Sequence, residues 1–333
     1  MNAVAAKATG RVLRARREKV VIVTRKTQLE ELVTRFNTVG QAKFYLEHAG
    51  QDFAPIEQMH TQYHAVLDGV RGLVPSGVKH QVIDRAFLPQ FTFGENDLVV
   101  TVGPDGLVVN TAKYLDGQPI LAVNPDPAKI EGALVKYSLQ SARTGMNEAV
   151  YESPLIQDVT MAEAILNDGQ KLLAFNDLFI GANSHVSARY ELEFGGAKEN
   201  QSSSGIIVST GAGSTGWLRS VYAGATRVVE ALGGTVEPPP LGGKFGLADQ
   251  ELIYAVREPW PSKSTGATLV YGVITYDQPL VIRSQMAENG VIFSDGIESD
   301  YLAFTAGFTA TIRLADKLAR LILPRRSPNG GAT

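Results

Sequence analysis

Apolar and polar positions follow two regimes along the chain. Up to about residue 137, short unbroken apolar runs alternate with stretches of helical spacing. Lys19–Thr24 (KVVIVT) and Asp97–Val102 (DLVVTV) are β-branched runs of buried-strand length, and residues 119–124 (PILAVN) form a shorter one. Residues 81–87 form a weaker strand candidate. Between these runs, Leu29, Leu32, Val33 and Phe36 recur at helical spacing. A second helix is predicted from Ile56, Met59, Tyr63, Val66, Leu67 and Val70. Strands alternating with helices predict an α/β domain built on a parallel sheet.

Beyond residue 137 the pattern shortens. Residues 190–194 (YELEF), 252–257, 280–283 and 311–314 alternate or are rich in β-branched residues, with Gly, Asp, Asn and Pro between them. This predicts a mostly antiparallel β-sandwich, interrupted by one helix over residues 214–232. Residues 318–323 read as a short closing element. The expected layout is a basic tail (1–17), an α/β nucleotide-binding and catalytic domain (18–137) and a β domain (138–305). A segment returning to the first domain (306–324) and a disordered tail (325–333) complete it.

Composition narrows the chemistry. Of 333 residues, 44% are hydrophobic and 20% charged, the balance of a globular protein. A net charge of −3 gives no general affinity for nucleic acid. No apolar stretch approaches the roughly 20 residues that span a bilayer. The chain has no cysteine, which excludes thiolate catalysis and fits a cytoplasmic protein. Lys7, Arg11, Arg14, Arg16 and Arg17 give the first residues the charge pattern of a transit peptide, but this stretch has no serine and reads as a frayed tail. His60 and His64, four apart, read as a solvated helix face, and the histidines show no zinc-binding spacing of the HExxH kind.

Three segments could carry chemistry. Gly103-Pro104-Asp105-Gly106 lies between two β-branched runs. Pro-Asp-Gly is a turn signal, so residues 98–110 read either as a hairpin or as strand, phosphate loop and helix. In the second reading Asp105 is a general base or orients a hydroxyl. Thr210 to Gly216 contains only Gly, Ala, Ser and Thr after an apolar run; it is either a flexible loop or a loop that lets a ligand approach the backbone. On that second reading Ser209, Gly211 and Gly213 are candidate phosphate contacts, and Ser214 or Thr215 caps the next helix. It is no P-loop, because no Lys follows the last Gly. Asn176-Asp177 is a turn or a ligand-holding pair.

In order and spacing these segments resemble the NAD kinase family, with its GGDG-type loop, Asn-Glu pair and TGxGST segment. The likeness is to the mitochondrial-type branch, through Asn124-Pro125-Asp126-Pro127 with Glu131-Gly132, Ser203-Ser204-Gly205, Arg257-Glu258-Pro259 and Ser294-Asp295-Gly296. The resemblance implies the two-domain fold above, with the site between the domains. It implies ATP-dependent phosphorylation of the adenosine ribose 2′-hydroxyl of NAD to give NADP, with Mg²⁺ carried on the ATP phosphates. Asp105 takes the place of the catalytic acid, with Gly103 and Gly106 lining the phosphate loop. Asn176, Asp177, Ser214, Thr215, Gly216 and Trp217 fall among the dinucleotide contacts. A homodimer or homotetramer is implied as well. Pro104, Leu107, Asp177 and Trp217 stand where the family pattern has Gly, Thr, Glu and Tyr. Alternatives are a catalytically weak dinucleotide-binding relative and a kinase for a lipid or sugar hydroxyl.

Overall fold

The buried β-branched runs of the first half form the centre of a seven-stranded sheet. In this computed structural model, which describes residues 11–12, 17–237 and 239–325, the strands are β1 (Arg11–Val12), β2 (Lys19–Thr24), β3 (Lys79–Asp84), β4 (Asp97–Val102), β5 (Pro119–Val123), β6 (Leu155–Val159) and β19 (Ala319–Leu323). Their order is β1-β6-β19-β5-β4-β2-β3, with parallel pairing from β3 through β19 and β1 antiparallel to β6. Every residue of β4 and β5 is buried, as for strands covered on both faces. Helices α3 (Ala54–Gly72) and α5 (Leu139–Tyr151) cover one face, placing Tyr63, Leu67, Ala142 and Met146 against Ile22, Val100 and Leu121. Helix α1 (Gln28–Phe36), closed by a capping box at Thr27, packs with α2 (Val39–His48) around Leu29, Ala42, Leu46 and Phe53. Helix α4 (Asp105–Ala112) follows β4.

The second unit is a sandwich of two antiparallel sheets. One runs β11-β10-β15-β18-β7-β8 and the other β14-β13-β12-β9-β16-β17. The strands are β7 (Ala162–Leu166), β8 (Lys171–Ala174), β9 (Asp177–Ala182), β10 (Ala188–Phe194), β11 (Ala197–Ser203), β12 (Ile206–Ser209), β13 (Leu252–Val256), β14 (Tyr271–Ile274), β15 (Leu280–Ser284), β16 (Gly290–Ser294), β17 (Ile297–Ala303) and β18 (Thr309–Leu314). Ile180, Val208, Tyr254 and Ile292 from one sheet meet Leu192, Ile282 and Ile312 from the other in one core. Helix α6 (Trp217–Ala231) inserts Leu218 against Ile253 and Ala255.

Several expectations change. The division expected after residue 137 falls after Gln157, because α5 packs on the first sheet. Of the segment 306–324, β18 stays in the sandwich and only the stretch from Arg320 onward joins the first unit. The strand over 81–87 ends at Asp84, whose side chain accepts from the Ala86 amide and turns the chain into a 3₁₀ helix. Part of the expected basic tail is ordered: Arg11–Val12 pairs with β6, and Arg17 is buried. The rest of that tail, and residues 326–333, lie outside the described residues.

Candidate active site

Residues 98–110 are strand, loop and helix, not a hairpin. Gly103 bonds from its amide to the Val123 carbonyl at 3.1 Å, which carries the chain along β5 before it turns. Pro104 occupies the N-cap of α4 with φ −75° and ψ 173°, a position where a missing N–H is tolerated. Asp105 is therefore the first residue of the helix, where the dipole favours a carboxylate. Its Oδ1 accepts from the amides of Leu134 (2.9 Å) and Val135 (3.0 Å), and Oδ2 accepts from Ala133 (2.7 Å). Gly132 makes this possible, since a Cβ there would strike Val135 and crowd Oδ1. A carboxylate offers about four acceptor positions. Three are filled, and the fourth is on Oδ2. Gly106 lies exposed in the first turn of α4.

The ends of three strands meet beside this loop. In the parallel part of the sheet β2 is flanked by β3 and β4, so the direction of winding reverses at β2, and ligands bind at the carboxyl ends of strands at such a point. A cavity of about 330 Å³ opens there. It is lined by Arg25, Lys26 and Thr27 after β2, Pro104 after β4, and Pro125, Asp126 and Lys129 after β5. Tyr63 fixes its floor, donating to the Val102 carbonyl at 3.0 Å and accepting from the Arg25 amide at 3.1 Å. Three cations against one carboxylate suit a polyanion. Sequence reasoning missed Arg25, Lys26 and Lys129; the basic pair directly after a buried strand was the available signal.

In the second unit, four segments distant in sequence come together. Asn176-Asp177 opens β9 and is held from two sides. The Thr210 amide donates to the Asn176 carbonyl at 2.9 Å. The Asp295 carboxylate receives the amides of Phe175 (3.1 Å), Asn176 (2.6 Å) and Asp177 (3.3 Å). Asp295 reaches them from a left-handed turn, φ 57°. The Asp177 Oδ1 is buried without a hydrogen-bond partner. Burial pushes the Asp177 carboxyl up to about 7; the Ser209 hydroxyl opposes that and the Asp295 charge adds to it. Beside this pair the Trp217 ring stacks on Phe179 at 5.7 Å and 7°, Phe179 meets Phe293 at 4.8 Å, and the Arg257 guanidinium lies 5.2 Å over Trp217. Gly205, φ 105°, leaves room for the Phe179 ring.

The glycine-rich loop is less open than its composition suggests. A Cβ on Gly211 would strike the Gly246 carbonyl, and one on Gly213 would strike the Asn176 carbonyl. Both glycines thus have a packing role. Ser209 and Ser214 are buried, their hydroxyls donating to the carbonyls of Thr210 (3.2 Å) and Gly211 (2.7 Å). Neither Ser214 nor Thr215 caps α6: residues 213–215 form a 3₁₀ turn and Gly216 is the N-cap. Thr215 and Gly216 are exposed and Trp217 is half-buried, so this end of the loop faces solvent.

No protein-family model matches the chain. Two curated proteins are similar to it, each named "NAD kinase 2, mitochondrial". The human protein is 25% identical over 269 residues, covering 65% of this chain and 60% of that protein. The rat protein is 26% identical over 269 residues, covering 65% and 63%. The chain thus spans under two thirds of the length of either relative. Among solved structures, an NAD kinase from Archaeoglobus fulgidus in complex with ATP aligns with TM-score 0.54 and 16% identity over 92% of this chain and 94% of that one. Yeast NADH kinase complexed with NADH aligns with TM-score 0.59 and 14% identity over 98% and 89%. Over those 269 residues the chain is similar in sequence to NAD kinases. Its α/β unit and antiparallel sandwich are the NAD kinase fold.

Departures from the NAD kinase pattern have local accounts. Pro104 serves as a helix N-cap. Leu107 is buried and lies within 2.9 Å of where a Gly103 Cβ would be, so it fills space that the loop glycine leaves open. Trp217 presents a broader face to Phe179 and Arg257 than a phenol ring offers.

Proposed function

We propose that this protein transfers the γ-phosphoryl group of ATP to the adenosine ribose 2′-hydroxyl of NAD, giving NADP and ADP. One observation carries the reading: Asp105 stands at the start of α4 beside a cationic cavity at the sheet's winding reversal. Arg25, Lys26 and Lys129 offset the charge of the ATP phosphates in that cavity. Mg²⁺, carried on those phosphates, supplies further neutralisation; it keeps several waters and needs few protein ligands, and Asp126 is the one carboxylate in the lining. Asp105 accepts a hydrogen bond from the ribose hydroxyl at its remaining Oδ2 position. As the oxygen attacks phosphorus, its proton passes to that carboxylate and then to solvent, while the bond to ADP breaks. Such base assistance is worth roughly 10²–10⁴-fold, the remainder coming from positioning and charge stabilisation. In the second unit, Asn176 and Asp177 hold the dinucleotide's hydroxyl or amide groups, and the exposed Thr215–Trp217 stretch contacts adenosine. A homodimer or homotetramer in the cytoplasm completes the proposal.

The test is direct. The purified protein, incubated with NAD, ATP and Mg²⁺, is expected to form NADP, and Asp105→Asn to abolish it. No NADP above a no-enzyme control would overturn the reading.

The three amides on Asp105 favour a second reading, in which this carboxylate ties residues 133–135 to α4 in a protein that binds the dinucleotide without useful turnover. Calorimetric NAD binding with no product would select it.

A further inference from the structure

Helices α1 and α3 bring together three side chains of metal-ligating type, none of them used in the phosphoryl-transfer reading. His60 and His64, one turn apart on α3, stack edge to face with ring centroids 4.5 Å apart. Glu30 of α1 faces them, its Oε1 3.2 Å from His64 Nε2. One donor atom from each residue lies within 4.8 Å of the other two. All three are half-buried, so the face is solvated only in part.

The surroundings hold these groups in place. The Glu30 Oε2 accepts from the Thr27 amide at 2.7 Å, which fixes that carboxylate through the capping box with Oε1 toward the histidines. The Thr27 hydroxyl lies 2.8 Å from His60 Nδ1 and holds that ring. Anchoring of this kind, from outside the ligand set, orients metal ligands. Zinc bonds to His and carboxylate are about 2.0–2.2 Å, so neighbouring donors on a tetrahedron lie about 3.3–3.6 Å apart. The Glu30–His64 pair already sits near that spacing. Two imidazoles and a carboxylate suit zinc and its first-row neighbours better than magnesium or calcium.

We propose that Glu30, His60 and His64 form a site for a divalent transition-metal ion of the zinc class, which joins α1 to α3 and keeps an open coordination position. His60 also lines the cationic cavity, so a bound ion adds positive charge at its wall. The metal site does not depend on the phosphoryl-transfer reading.

The test uses the full chain, stripped with chelator and titrated with zinc chloride alone by calorimetry. One equivalent is expected to bind, and zinc is expected to raise the thermal midpoint. Glu30→Gln and His64→Gln should each weaken binding at least about 10-fold. His64 has 40% of its side chain exposed, so its replacement leaves the core untouched; circular dichroism checks this. The exposed His185, changed to Gln, should leave zinc binding unaltered. Cobalt in place of zinc should give visible absorption of low coordination number in the wild type and lose it in His64→Gln. Affinity weaker than about 1 mM, binding that survives His64→Gln, or binding that follows His185 overturns the proposal; the bound would leave under 4.1 kcal/mol of affinity.

Discussion

The hydroxyl of Tyr63 donates to the carbonyl of Val102 at 3.0 Å, and so ties α3 to the end of the strand that leads into Asp105. The same oxygen accepts the Arg25 amide. Tyr63→Phe leaves both backbone groups without that partner. It should lower stability by about 1–3 kcal/mol in urea unfolding and raise the KM for ATP more than it changes kcat. An unchanged unfolding midpoint would show that water replaces the hydroxyl.

Asp105 carries two separable burdens. Asp105→Asn keeps one acceptor oxygen for the 133–135 amides but cannot take a proton. NADP formation should fall by on the order of 10²–10⁴-fold while calorimetric NAD binding persists. Asp105→Ala should also destabilise the fold, since three backbone donors lose their acceptor. If the two variants behave alike in unfolding and in catalysis, the carboxylate is a tie and not a base.

Asp177 predicts a pH slope. Its carboxyl stands at about 7, against an ordinary value of 3.8. Between those values the folded chain holds a proton that the unfolded chain has released, so this group's contribution is complete below about pH 4 and is lost as pH rises through 7. Stability from Asp177 should fall across that window, at most about 1.4 kcal/mol per pH unit. Asp177→Asn should flatten the slope, read as the urea midpoint against pH. Equal slopes in both proteins would place the proton elsewhere.

Trp217 supplies its own reporter. The chain has two tryptophans, and Trp260 is largely exposed and away from the Phe179 stack. In a Trp260→Phe background, NAD titration should change Trp217 emission with saturation. Arg257→Ala, which removes the cation over that ring, should weaken NAD binding by about 0.5–2 kcal/mol. Emission that ignores NAD would remove the Thr215–Trp217 stretch from the binding surface.

Much of the frame was legible in sequence because burial on both faces leaves unbroken β-branched runs. β2 and β4 stand at the predicted residues. Helix α5 was missed because its buried stripe is Ala142, Gly145, Met146, Ala149 and Val150, mostly too small to register as apolar. The Gly103–Gly106 loop was ambiguous locally, since Pro-Asp-Gly suits a hairpin as well as a helix start; the buried β5 alongside decides it. In the Thr210 loop, small residues signalled ligand approach, yet Gly211 and Gly213 are small because the 246 carbonyl and Asn176 press against them. Asp295 was visible as part of a motif, but its service to the Asn176 and Asp177 amides depends on β9 and β16 lying side by side.

β19 has a consequence for the order of events during synthesis. Arg320 and Leu321 pair with Pro119 and Ile120, some two hundred positions earlier. The ribosome must deliver residue 321 before the first sheet gains that neighbour, whereas the twelve strands of the sandwich have all emerged by Leu314. Nascent chains stalled past that point should therefore resist protease in the later half while the earlier half is still waiting to close.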